Sequence, residues 1–92
     1  MEIEKLTEDI FKVTLSGGVT TQHEVTVTDI AHYDLTKGRT TKKELLDFSF
    51  KFLLDREPNT SILSQFDITV ISQYFPEYES ELLQILSKKK RE

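Results

Sequence analysis

The residues of this 92-residue chain best equipped for acid–base or metal chemistry are its two histidines, His23 and His32, since the chain has no cysteine. One stands in a threonine- and valine-rich run and the other in a helical pattern, with no carboxylate at a matching spacing. A catalytic zinc site usually takes three protein ligands, so neither histidine is read as a metal ligand. His23 falls on the apolar side of its strand and is read as hydrogen-bonded and half-buried. Without cysteine there is no thiolate zinc site, iron–sulfur cluster or thiol nucleophile. Serines 61, 64, 72, 80 and 87 fall at helical or turn positions, and no Gly-x-Ser-x-Gly elbow is present. Gly17-Gly18 lacks the Gly-Lys-Ser/Thr ending of a phosphate loop. Asp55 and Glu57 form the closest acid pair, but Asp47, Lys51 and Asp55 at i, i+4 spacing read as a solvated ladder. The sequence therefore assigns no catalytic residue, no metal site and no cofactor.

The segment Thr36 to Lys43 is different, because Lys37, Arg39, Lys42 and Lys43 occur there without an acid among them. Two of those lysines fall in the first turn of a predicted helix, where a cation is disfavoured by about 0.3–1 kcal/mol. One reading is an anion site, in which free amides behind Thr41, with Arg39, Lys42, Lys43 and Lys37, hold a phosphate or a partner's carboxylate. The other is a solvated loop balanced by Asp34 and Glu44. Tyr74 and Tyr78 offer a second candidate, an aromatic anchor for a protein interface. At helical spacing the same residues also suit a core, with their hydroxyls reaching the surface.

Charge narrows the partners. Sixteen acids face twelve bases, for a net −4, and setting aside residues 88–92 as a basic tail leaves 15 acids against 8 bases, or −7. Non-specific nucleic-acid binding requires the opposite sign. No apolar run approaches the eighteen or so residues of a membrane span, and the start has no signal-peptide character, so a cytoplasmic location is expected.

The elements that must position these groups change character near residue 29. Before it, threonines alternate with Val, Ile and Phe, which predicts strands near 2–6, 9–16 and 20–28. Phe11, Val13 and Leu15 share one face of the second strand, and Val19, Thr21, His23, Val25 and Val27 share one face of the third. A strict two-residue loop at Gly17-Gly18 would pair odd residues with even ones and split the apolar faces. The pattern therefore demands a three- or five-residue loop or a bulge, with Val13 opposite Thr21 or His23 and never opposite Gln22.

After residue 29 the apolar spacing becomes three and four. Asp29 is expected to cap a helix from Ile30 to Thr36 that Gly38 ends. Thr41 to Glu44 is a capping box opening a helix over 42–56, with Pro58 beyond it. Leu45, Leu46, Phe48, Phe50, Phe52, Leu53 and Leu54 sweep over half its circumference, so it must be covered on two sides. Residues 59–65 are read as a turn or a single helical turn. Asp67 is expected to cap a short helix carrying Ile68, Ile71 and Phe75. Pro76 then opens a last helix to about Ser87, striped by Tyr78, Leu82, Ile85 and Leu86. The expected fold is one α+β domain, 1–92: an N-terminal three-stranded antiparallel sheet (1–28) packed on one face by a layer of three to four helices (29–87), then the basic tail.

From residue 56 onward, Arg56-Glu57-Pro58-Asn59-Thr60-Ser61-Ile62-Leu63, Phe66-Asp67-Ile68, Val70-Ile71 and Tyr74-Phe75-Pro76-Glu77-Tyr78 resemble a group of small bacterial proteins of no assigned function. The resemblance implies a stand-alone bacterial cytoplasmic protein and carries no activity. The expectation is a non-enzymatic interaction or regulatory domain whose partner is another protein. Alternatives are phosphate or nucleic-acid binding through residues 37–43, and an enzyme or metal site assembled around His23 with a distant carboxylate. Self-association is open between a monomer and a dimer paired through an exposed strand edge.

Overall fold

The computed structural model describes residues 1–90, which form a sheet and four α-helices. Strands β1 (Glu2–Lys5), β2 (Ile10–Leu15) and β3 (Thr21–Thr26) pair antiparallel in that order. Val13 lies opposite His23 and Leu15 opposite Thr21, so the loop is the five residues 16–20, and odd faces odd as the alternation required. Gly18 takes a φ of 84° in that loop, a conformation glycine adopts without a Cβ penalty. Phe11, Val13, Leu15, His23, Val25 and Val27 are buried on one face, while Gln22 and Glu24 face water on the other.

The expected three-stranded antiparallel sheet is corrected by a fourth strand, β4 (Gln65–Asp67), which lies parallel to β3 with Phe66 beside Val25. A parallel neighbour needs a long crossover, and here the chain supplies it with two helices and a 3₁₀ turn. Three residues are too few for a period-two pattern to stand out, which is why 59–65 reads as a turn alone. The turn itself is present, as a 3₁₀ turn over Asn59–Ser61.

Helix α1 (Asp29–Thr36) is capped one residue earlier than expected: the Thr28 hydroxyl accepts from the Ala31 amide, and Asp29 is the first helical residue. Its end is left-handed at both Lys37 (φ 55°) and Gly38 (φ 76°). Helix α2 (Lys42–Leu54) opens on the complete capping box, with Thr41 Oγ1 accepting from Glu44 N–H and Glu44 Oε1 from Thr41 N–H, both at 3.0 Å. Its aromatic arc is covered twice. Phe50 meets His23 and Phe66 on the sheet side, whereas Phe48 and Phe52 meet Tyr78, and Phe52 also meets Phe75. Leu54, at the end of the arc, stays exposed.

Asp67 does not cap a helix directly. It ends β4, and its carboxylate accepts from the Thr69 amide and hydroxyl ahead of α3 (Val70–Tyr74). Pro76 stands in the turn before α4 (Tyr78–Lys90), which buries Tyr78, Leu82 and Leu86 but leaves Ile85 exposed. The expected tail begins within this helix, at Lys88, and its Arg91 and Glu92 lie outside the described residues. Arg56 ties the end of α2 to the start of α4, donating to Glu77 at 3.0 Å and Glu81 at 2.8 Å while its guanidinium lies over the Phe52 ring. No helix among the described residues is long and apolar enough to cross a membrane.

Candidate functional site

The basic segment does not converge. Lys42 turns its ammonium inward, 2.8 Å from Asp29 Oδ1, 3.4 Å from Asp9 Oδ1 and 2.8 Å from the Glu8 carbonyl, and its side chain is only 13% exposed. It ties the start of α2 to the β1–β2 turn and the start of α1. Burial pulls its pKa down, but the hydrogen bonds to Asp29 and Asp9 more than offset that and raise it above the ordinary lysine value. The bond to Lys42 in turn holds the Asp29 carboxyl below the usual carboxylate range. Thr41 spends its hydroxyl on Glu44, so the first helical amides are not all free for an anion. Lys37 places its ammonium 5.8 Å from the Tyr33 ring, while Arg39 and Lys43 lie exposed. Of the five candidate anion-binding residues, two are thus occupied in building the fold.

His23 is buried more completely than expected, at 2% exposure. The Leu63 carbonyl, 2.7 Å away, can only accept, so the ring's Nδ1 carries the proton. On the other side Nε2 lies 2.8 Å from Thr21 Oγ1, which accepts from Asn59 Nδ2; that amide also donates to the Val19 carbonyl at 2.7 Å. These bonds stitch the β2–β3 loop and β3 to the 3₁₀ turn and the strand entry at Leu63. Both ring nitrogens are spent, and each partner is a hydroxyl or a carbonyl. His32 donates from Nε2 to the Thr40 carbonyl, joining α1 to the start of α2. Among the described residues no three of His, Asp or Glu gather as a metal site would require.

The two tyrosines part company. Tyr78 has 0% exposure, and its hydroxyl lies 2.6 Å from Ser49 Oγ. Ser49 has one proton and gives it to the Leu45 carbonyl at 2.7 Å, so Tyr78 is the donor in their pair. Burial pushes its pKa up to about 12. Such a residue cannot anchor an interface, and its hydroxyl does not reach the surface. Tyr74 is 68% exposed and does the opposite. It stands on the rim of an apolar pocket of about 290 Å³, floored by Leu53, Ile62, Phe66 and Ile71, with Leu63 48% exposed nearby. Among the described residues, Glu57 is the one charged residue lining it.

A larger groove of about 1110 Å³ runs beside β1 toward α2 and α4. Its walls mix Glu2, Glu4, Asp47, Lys12, Lys43 and Lys51, and two ion pairs, Lys12–Glu4 and Lys51–Asp47, already neutralise part of that charge. The apolar pocket is therefore the site with a distinct character. Of the residues at this pocket, the sequence marks Tyr74 as an interface anchor and Glu57 only as an acid paired with Asp55, and it gives Leu63, Phe66 and Val70 no site role. The only local signal, the alternation of Gln65, Phe66, Asp67 and Ile68, is too short to place a strand there by itself. Compared with protein-family models, curated proteins and solved structures, the chain matches none.

Proposed function

We propose that this chain is a non-enzymatic interaction domain that binds another protein through the face around Tyr74. One observation carries the reading: a small apolar pocket opens beside an aromatic residue that is 68% exposed, where tyrosine is a favoured anchor. The buried polar side chains His23, Ser49 and Asn59 are engaged in hydrogen bonds that join elements, and Thr36 bonds within α1 and its C-terminal turn, which leaves recognition to the surface. The resemblance carried by residues 56–78 adds the proposal that the domain works in a bacterial cytoplasm.

The test is a photo-crosslinking residue at position 74, with the same residue at position 22 on the outer sheet face as control, in a bacterial lysate. A discrete protein, identified by mass spectrometry, competed by unlabelled chain and lost in Val70→Asp, is the expected result. Equal labelling at both positions would sink the reading. So would turnover of a small-molecule panel that disappears when one polar residue is replaced.

A further inference from the structure

The pocket lies under a sheet edge whose peptide groups are open. Along β4 the even residues point inward: the Ser64 carbonyl accepts from Glu24 N–H at 2.8 Å, and Ile68 N–H donates to the Thr26 carbonyl at 2.9 Å. Alternation then turns the N–H and C=O of Gln65 and Asp67 away from β3, and β4 is the last strand of the sheet. Phe66, between those two, drops its ring into the pocket lining. An open strand edge above an apolar recess is the arrangement in which an added strand takes affinity from main-chain bonds and specificity from a seated side chain.

The pocket's size and charge say what that strand carries. About 290 Å³ of almost wholly apolar lining has room for a single large apolar side chain. Glu57 lines an otherwise uncharged recess and forms no ion pair among the described residues, so a neighbouring cation is the complementary group. The opposite edge offers no such match. Its outward peptide groups belong to Ile3 and Lys5, because Leu6 N–H donates inward to Ile10. Pairing that edge with a second copy centred on Ile3 or on Glu4 sets Glu2 against Glu4 or Glu4 against itself, which opposes the edge-paired dimer.

Resting on the interaction reading above, we propose that the partner enters as an extended segment. It adds a strand beside Gln65 and Asp67, seats one Leu- or Phe-sized side chain in the pocket, and sets a Lys or Arg two residues away against Glu57. The probes are blocked heptapeptides of sequence Thr-Lys-Thr-X-Thr-Lys-Thr with X as Leu, Phe, Ile, Val or Gly, titrated into the ¹⁵N-labelled full chain. The Leu or Phe peptide is expected to shift the Gln65 and Asp67 amides. Gly at X should weaken binding about ten- to a hundredfold, the effect of losing one buried apolar side chain. Replacing both Lys by Glu should weaken it about fivefold, a difference that Glu57→Gln removes. Gln65→Pro deletes an outward N–H without breaking a main-chain bond to β3, losing only the exposed 3.4 Å side-chain bond to Glu24, and should reduce binding at least about fivefold. N-methylation of the Thr beside X tests the same bonds without altering the chain.

Binding that survives Gln65→Pro and N-methylation but is lost in Val70→Asp would overturn strand addition and leave the interaction reading standing. No shift with any of the peptides would overturn the inference, while the crosslinking result at position 74 judges the broader reading separately. Concentration-dependent shifts of the same amides without peptide, with a dimer in light scattering, would make a second copy the occupant and overturn it as well.

Discussion

Residues 36–43 and 63–75 exchange the roles their composition suggests. The first is rich in charge and looks like a binding loop, yet its central cation, Lys42, is drawn inward by Asp9 and Asp29, and Thr41 is taken up by Glu44. The second is rich in apolar residues and looks like core, yet it leaves Tyr74 and Leu63 on the surface beside an apolar pocket. A side chain is available for recognition only when the fold has not already used it, and composition does not record that use.

The sharpest way to break this contrast is to treat the two tyrosines alike. Tyr78→Ala empties a site ringed by Phe48 and Phe52 and should cost about 3–5 kcal/mol in urea unfolding. Tyr74→Ala should stay within about 0.5 kcal/mol. Comparable losses for both would mean that Tyr74 is structural and would remove the basis of the interaction site.

Alkaline pH gives the next largest effect. The Tyr78 hydroxyl has its pKa raised to about 12 from an ordinary 10, so the folded state holds its proton where the unfolded state releases it. The contribution is complete below pH 10 and is lost as pH rises toward 12, amounting to about 2–3 kcal/mol. Tyr78→Phe should cost about 1 kcal/mol at neutral pH and flatten this alkaline fall.

Within the basic segment, Lys42→Ala should cost about 1 kcal/mol, kept small because Asp29 is 92% exposed and its attraction is screened. Lys43→Ala should change stability by less than about 0.5 kcal/mol. Equal effects would mean that Lys42 is as free as Lys43 and would return it to the anion site. The smallest effect is at acid pH. Because Asp29 is held below its ordinary value of 3.8, its contribution is present above that value and fades as pH falls through the lowered one. Asp29→Asn should remove that part of the acid limb in a pH series of urea melts.

Much of the architecture was legible because it rests on periodicity. The odd-numbered apolar face of 11–15 and 23–27 set the hairpin register, the capping box placed the start of α2, and its aromatic breadth demanded two coverings. Three features were not legible, each for its own reason. β4 is only three residues long, too short for alternation to show, so its pairing with β3 depends on where the crossover lands. The cap of α1 fell on Thr28 and not Asp29 because two good capping residue types stand side by side, and local sequence does not choose between them. The ring of His23 met Leu63, forty residues away, through a bond that no local pattern announces.

What the sequence by itself determined is the set of local choices: which strand face is apolar, where helices begin, and that the central helix would be enclosed. These follow from side-chain period and from capping bonds between residues three apart. Only the tertiary structure decided which polar and aromatic groups were left over. Lys42, His23 and Tyr78 were consumed by partners distant in the chain, and Tyr74 and Glu57 were spared. Distance in space, which the order of residues does not carry, settles that division.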